Sequence, residues 1–538
     1  MRRIYINGRI YTMDAAMPYA EAMCTEDGKF LKVGTNFDME ELQIPGVEII
    51  DLNQQSVYPG FIDSHMHLGM LGSNLFECDL VNTGSIEELI ERMKAYQKEK
   101  QIPKGEWIFG KGWNEDYFDS KRLPSREDLD QISTEHNICL TRGCYHMCVV
   151  NSNVLDFLGV DRDNHIIEGG IYDVDENGVP TGICREAALK QVYSAFPPKT
   201  KETFKEYIRL SSKYLLSRGL TSVSTDDFML PGFQKQDVLD AYVELRDANE
   251  LKLRITEQCL LPDRESLEAF IAKGYRTGKG DDRFKIGQLK LLADGNLGTR
   301  TAYMEDAYAD DPGNHGFPQY KQEDLNELVQ IATAGGFQIA VHAIGDKASG
   351  MVITSLEALP EELKQKDLRA NLVHCQVLNE GLMDKMQELG VVANVQPIFL
   401  HYDVHMAEPR IGAKKLKTSY NWNTMLKRGM HVAFGSDSPI ELPDPLFGIY
   451  SAVNRRDLNG YPEGGWYPEE KITVDEAISC YTMGSAYATF DDHRKGSIRS
   501  GKLADFIVLS ENLQEVDPLE IKNLQVLSTY VNGEKVHG

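Results

Sequence analysis

The stretch Val57-Tyr58-Pro59-Gly60-Phe61-Ile62-Asp63-Ser64-His65-Met66-His67 reads as an apolar strand that ends in His-x-His. Residues two apart on a strand face the same way, so the two imidazoles stand side by side where the strand stops. Such a pair can ligate one metal ion, and a pair of satisfied or exposed histidines fits the same letters. The pattern recurs further along. His342 closes the apolar run Gln338-Ile339-Ala340-Val341, His374 closes Asn371-Leu372-Val373, and Asp437 follows Ala433-Phe434-Gly435-Ser436. Further strand candidates cover 221–224, 254–256, 285–292 and 391–395, with helical segments such as 324–334 and 380–389 between several of them. Repeated strand–helix alternation predicts an α/β parallel sheet with helices outside, and its extent fits closure into a (β/α)₈ barrel of the TIM type. Active sites of such barrels are built at the C-terminal ends of several strands at once. One histidine there is ordinarily structural, but four histidines and an aspartate arriving at the same end favour a metal site.

Both chain ends are β-rich instead. Ile4-Tyr5-Ile6 and Arg9-Ile10-Tyr11 flank Asn7-Gly8, Asp27-Gly28 precedes 29–33, and Asn532-Gly533 follows 528–531. Each is a tight-turn signal, and the first reads as a hairpin. Residues 1–57 and 497–538 are therefore expected to form one composite β-sandwich domain, with 58–496 as the barrel. Between the strand near 62 and the one near 221 lie about 150 residues that break the alternation, and 70–215 is read as a substrate-shaping insertion over one barrel loop. Within it Ser85-Ile86-Glu87-Glu88 reads as a capping box opening a helix, with Leu89, Ile90, Met93 and Tyr96 at apolar positions.

A length of 538 residues allows more than one domain, and 42% hydrophobic with 26% charged residues excludes a disordered, collagen-like or disulfide-scaffold chain. The net charge of −25 argues against nucleic acid or an anionic membrane as partner. No run of about 18 apolar residues occurs, so no membrane span is expected. The apolar run near the N-terminus is interrupted by Asn7, Gly8 and Arg9, which predicts no signal peptide. Nine cysteines without a Cys-x-x-Cys pair point to reduced thiols and a cytoplasmic location. A small-molecule partner is expected; a homo-oligomer is compatible with the sequence but not specified by it.

Lys290 stands apart. Gln288 and Lys290 share one face of their strand and Leu289 and Leu291 the other, which would turn the lysine into the barrel. A lysine there is costly unless it is paired, with Asp294 as a nearby acid, or chemically changed. Reaction with carbon dioxide would make it an anionic carbamate able to bridge two metal ions.

In this order, His65-x-His67, Lys290, His342, His374 and Asp437 resemble the amidohydrolase superfamily. The segments Pro59 to His67, Asp294-Gly295-Asn296-Leu297-Gly298-Thr299-Arg300-Thr301-Ala302, His342-Ala343-Ile344-Gly345-Asp346-Lys347-Ala348, Val373-His374-Cys375 and Gly435-Ser436-Asp437-Ser438-Pro439 are similar to its subgroup containing N-substituted formamide deformylase. The resemblance covers essentially the whole chain. It implies a barrel with a β domain from both termini, hydrolysing non-peptide carbon–nitrogen bonds such as amides, formamides or cyclic amides. By the same resemblance His65, His67 and Asp437 would hold one divalent ion, zinc by default, and His342 and His374 a second. Carboxylated Lys290 would bridge them. Related D-aminoacylases bridge with a cysteine, and Cys259 lies one strand too early for that. Hydroxide generated at the metal would attack the substrate, and Asp437 would carry its proton to the leaving nitrogen. A one-metal deaminase of a small heterocycle and a non-catalytic binding barrel are the alternatives.

Outside the ligand set, Trp113, His146 and Arg300 are candidates for substrate contact, with Tyr117 beside them; loop packing or surface placement explains each equally well. His401 and His405 would share a face if helical, but Pro409 and Gly412 nearby favour a loop equally, and they are not taken as ligands. Cys144, His146 and Cys148 imitate a soft-metal site and read better as cysteines packed in a strand.

Overall fold

Eight apolar segments pair in parallel in the computed structural model, which describes residues 2–143 and 146–538. They are β1 (Phe61–Met66), β2 (Leu220–Thr225), β3 (Arg254–Leu260), β4 (Phe284–Leu292), β5 (Ile339–Ala343), β6 (Asn371–His374), β7 (Val392–Val395) and β8 (Val432–Phe434). Each pairs with the next in chain order. β1, β2, β6, β7 and β8 are buried along their whole length, as strands covered on both faces must be. Helix Lys235–Asp247 between β2 and β3 buries Val238, Ala241, Tyr242 and Leu245, and helix Gln322–Ala334 between β4 and β5 buries Leu325, Leu328, Val329 and Ala332. Both sets follow the i, i+3, i+4, i+7 spacing of one helix face laid on a sheet.

The ring closes just past the last strand. The Asp437 N–H donates to the His65 carbonyl and the His67 N–H to the Ser438 carbonyl, each at 2.8 Å. Gly435 permits this approach, because a Cβ there would stand 2.8 Å from both Asp63 Oδ1 and the His65 nitrogen. The buried Asp63 carboxylate ties the same seam, accepting from the His65 N–H at 3.0 Å and from the Ser436 hydroxyl at 2.6 Å. Closure therefore fixes the positions of His65, His67 and Asp437 relative to one another.

The chain ends form two sheets. A four-stranded sheet holds Arg3–Ile6, Ala22–Glu26, Lys29–Gly34 and Glu48–Asp51, and a six-stranded one includes Arg9–Tyr11, Ser56–Pro59, Phe506–Leu509 and Val526–Val531. Tyr5, Met23 and Phe30 of the first pack with Ile10, Val57 and Phe506 of the second in one apolar cluster. The Asn7-Gly8 hairpin expected from sequence does not form. Its two flanking strands belong to different sheets, because each has an apolar face to bury and a longer-range partner to pair with. Asp27-Gly28 and Asn532-Gly533 do close hairpins, with φ of 50° and 80° in the first and 54° and 67° in the second. These sheets and the barrel belong to one compact unit, residues up to Leu71 and from Phe204 onward. Buried Arg254, opening β3, donates to Asp505 at 2.6 and 2.8 Å and ties the barrel to the strand Phe506–Leu509.

Gly72–Thr203 is a second compact unit around a seven-stranded mixed sheet. Its helix Ile86–Lys100 starts at Ser85, whose hydroxyl accepts from the Glu88 N–H at 3.1 Å. Glu88 reaches back to the Gly84 N–H at 2.8 Å, so the expected box is displaced by one residue. Among the described residues no helix is long and apolar enough to cross a membrane.

Candidate metal centre

β1 brings His65, with His67 just past its end, β4 Lys290, β5 His342, β6 His374, and the turn after β8 Asp437. His65 Nε2 and His67 Nε2 lie 3.2 and 3.1 Å from one atom, Asp437 Oδ1. These three residues form a group whose ligand atoms all lie within 4.8 Å of one another. The His374 ring is 5.8 Å from that of His65 and 4.4 Å from that of His342. Lys290 Nζ is 2.9 Å from His65 Nε2. Six residues from five separate segments thus meet around one point. His374 and Asp437 do so with φ of 86° and 59°, in the left-handed region that costs a non-glycine residue about 1–3 kcal/mol.

The imidazole tautomers are set by acceptors outside this group. His65 Nδ1 donates to Gln258 Oε1 at 2.6 Å, and His374 Nδ1 donates to Gln396 Oε1 at 2.8 Å. His67 Nδ1 faces the Asp226 carbonyl at 3.4 Å. For His65 and His374 the Nε2 lone pair is thereby left for a ligand role. His342 is reversed, with Nε2 donating to the Gly295 carbonyl at 3.0 Å, which leaves Nδ1.

Charge in the site is unbalanced in a way that suits a cation. Burial pushes His65 down to about 3 and His342 to about 4, so both rings are neutral donors of a lone pair. Burial alone would raise Asp437, but its bonds to His65 and His67 win and hold it well below the usual carboxylate range. Burial lowers Lys290 to about 8, countered by Asp226 and Asp437. Asp226 is itself buried, faces no hydrogen-bonding side chain among the described residues, and is raised to about 6 by that burial. Burial at His67 is overridden by Asp437, which raises it, whereas His374 is lowered by burial like His65 and His342. Imidazoles beside carboxylates are donor types that suit a divalent ion.

Sequence reasoning missed Gln258, Gln396 and Asp226. The signal for Asp226 was present, since it follows the strand candidate at 221–224. The glutamines carry no motif and are found only through the rings they contact. Lys290 does not pair with Asp294, the acid considered for it. Asp294 instead accepts from the backbone of Ile344, Gly345 and Tyr303 at 2.8–3.0 Å.

The substrate-contact candidates fare differently. Trp113 is fully buried in the apolar core of the second unit, with Nε1 donating to the Leu140 carbonyl at 3.0 Å, so it is a packing residue. Arg300 is engaged by Asp310 through two bonds of 3.0 and 2.9 Å and does not line the cavity at the site. His146 is 73% exposed beside Glu186, and Tyr117 is also exposed. His401 and His405 do lie on a helix, Leu400–Leu416, and His405 Nε2 pairs with Asp457 at 2.9 Å. Cys144 lies outside the described residues; Cys148 packs with Cys139 and Cys184 in an apolar core.

A cavity of about 550 Å³ opens onto the ligand set, with Met229, Leu292, Phe399 and Met406 supplying apolar wall. A sequence model of the amidohydrolase family matches residues 48–537. The chain is 32% identical to YtcJ of Bacillus subtilis (strain 168), covering 100% of this chain and 99% of that one. It is 27% identical to N-substituted formamide deformylase of Arthrobacter pascens, covering 98% and 97%. Among solved structures, an uncharacterised metal-dependent hydrolase from Pyrococcus furiosus is similar at a TM-score of 0.75 and 30% identity, covering 96% of this chain and 100% of that one.

Proposed function

Because the chain belongs to the amidohydrolase family and is a metal-dependent hydrolase of carbon–nitrogen bonds, we propose that His65, His67, Lys290, His342, His374 and Asp437 are its metal ligands. The observation that carries this reading is the convergence of two imidazole Nε2 atoms on Asp437 Oδ1 at 3.2 and 3.1 Å. A bound divalent ion, zinc by default, lowers the pKa of water from 15.7 to about 7 and so supplies hydroxide at neutral pH. His65, His67 and Asp437 would hold one ion, and His342 and His374 a second. Lys290 would bridge them as a carbamate. An unmodified ammonium 2.9 Å from an imidazole nitrogen sets a cation among the lone pairs, whereas the carbamate reverses that sign.

Asp437 Oδ1 is the proton carrier in this reading. It is ionised when the site is empty of substrate and stands where a proton leaving the nucleophile can be received and passed to the departing nitrogen. Gln258 and Gln396 keep His65 and His374 in their ligating tautomers, and the apolar wall limits water to the reacting position. The substrate is a small molecule with an amide- or formamide-type bond, and the protein is placed in the cytoplasm on its thiol composition. Asp437→Asn keeps the fold and lowers turnover of a responsive N-formyl or N-acyl amine by about 10²–10⁴-fold. Steady-state kinetics with metal analysis checks this, and retained turnover removes Asp437 from that role.

A further inference from the structure

The cavity at the ligand set carries two carboxylates that nothing in the hydrolytic reading uses. Asp403, on helix Leu400–Leu416, is 6% exposed, and Glu441, beyond β8, is 8% exposed. Asp403 Oδ2 accepts from Gln376 Nε2 at 2.7 Å and from the Tyr420 hydroxyl at 2.9 Å, while Oδ1 accepts from no residue described. Tyr420 is braced in turn, because the buried Arg455 guanidinium donates to its carbonyl at 2.9 Å. Glu441 accepts from the Leu442 N–H and has no cationic partner among the described residues. Among the described residues lining this cavity, Lys290 is the one cationic side chain, and its neighbours are the ligand set.

A carboxylate held out of water without a counter-charge is costly, and burial accordingly lifts Asp403 to about 7 and Glu441 to about 8. The charge of Asp403 adds to the rise at Glu441, so the two groups sense each other across the same space. An ammonium placed there would make charge-assisted hydrogen bonds to both in a medium of low dielectric. Met229, Leu292, Phe399 and Met406 offer apolar surface for a methylene chain in the same cavity.

We propose that Asp403 and Glu441 select the substrate: an amide-type molecule that carries a cationic amine, separated from the scissile carbon–nitrogen bond by an apolar spacer. This rests on the amidohydrolase reading of the same cavity and adds the substrate class to it. Asp403, rigidly held by Gln376 and Tyr420, orients the ammonium through its free Oδ1, and Glu441 supplies the second contact. Anionic substrates are disfavoured by the same pair.

The test uses three hydroxamates that share one metal-binding head: aminocaproyl hydroxamate, heptanoyl hydroxamate and the half-hydroxamate of adipic acid. Their affinities are measured by calorimetry on the metal-loaded full chain, for the wild type and for Asp403→Asn/Glu441→Gln, with metal content determined on each sample. The amine-tailed probe is expected to bind at least about tenfold tighter than the neutral one, and the carboxylate-tailed probe more weakly than both. In the double variant the amine preference should fall to near unity, with metal content and affinity for the neutral probe unchanged. Equal wild-type affinities, or a preference that survives in the variant, overturn the proposal. Failure of all three probes to bind overturns it too. Metal content then separates the cases: a metal-free sample brings down the hydrolase reading as well, and a loaded one leaves that reading standing.

Discussion

At the scale of single residues, the site is organised by what stands behind the proposed ligands. Gln258 is the clearest case: Oε1 accepts from His65 Nδ1 at 2.6 Å, yet its buried Nε2 has no partner among the described residues. An unsatisfied amide nitrogen is a poor stabilising device, so the residue is better explained by the ring it orients. Gln258→Leu removes that orientation while keeping the volume. It should lower metal affinity about 10- to 100-fold with little change in thermal midpoint, as read by competition with a chelator. Unchanged affinity would make Gln258 a packing residue. The motif histidines, Lys290 and Asp437 could be singled out as candidates because each ends a strand or lies on one in a recognisable pattern. Gln258 and Gln396 were not, since glutamine on a barrel strand has no pattern of its own. Trp113 misled for a related reason, because an aromatic residue after the glycines of Gly110-Lys111-Gly112 reads alike whether it faces a ligand or a core.

At the scale of elements, alternation along the chain forecast the strands well and the local turns unevenly. The expected 338–341 and 371–373 emerge as Ile339–Ala343 and Asn371–His374, and the expected helix 324–334 as Gln322–Ala334. Strands buried on both faces and helices with one apolar stripe leave strong periodic signals. Turns do not carry equal information: Asn7-Gly8 has the letters of a hairpin and instead links two sheets, since pairing is decided by distant partners. Closure of the barrel was legible only as an expectation of size, whereas the seam depends on Gly435. Gly435→Ala would set a Cβ against the backbone of β1 and Asp63, all of it rigid. Overpacking of this kind costs about 1–3 kcal/mol, and here it would also displace Asp437 from His65 and His67. Chemical denaturation should show the loss of stability, and metal content should fall with it. A variant as stable and as fully loaded as the wild type would show that the seam can relax.

For the whole molecule, buried ion pairs make stability depend on pH: Arg254–Asp505 joins the barrel to the terminal sheets, and Lys285 and Lys495 pair with Asp491. Burial alone would raise Asp505 and Asp491, but Arg254 overrides this at the first and Lys495 with Lys285 at the second, so both are depressed. A depressed carboxylate stabilises the fold above its unfolded value of about 3.9, and that stabilisation is lost as pH falls through the folded value. Asp505→Asn leaves Arg254 buried without its counter-charge and should cost about 3–5 kcal/mol near neutrality. The difference from wild type should shrink as pH drops below about 4. Denaturant titrations across pH check both statements, and a pH-independent difference would assign the loss to packing. The seven-stranded sheet of the compact unit Gly72–Thr203 was not legible, because its short strands lack a repeating spacing.

The account as a whole turns on one claim, that the residues gathered at the barrel rim hold metal through a bridging Lys290. Elemental analysis of the full chain prepared with bicarbonate, beside Lys290→Ala, addresses it most directly. The account predicts about two divalent ions per chain in the first and a marked loss in the second, as a bridged pair requires. One ion in both samples would contradict the bridge and favour a single-metal site, and none after reconstitution would contradict the metal centre itself.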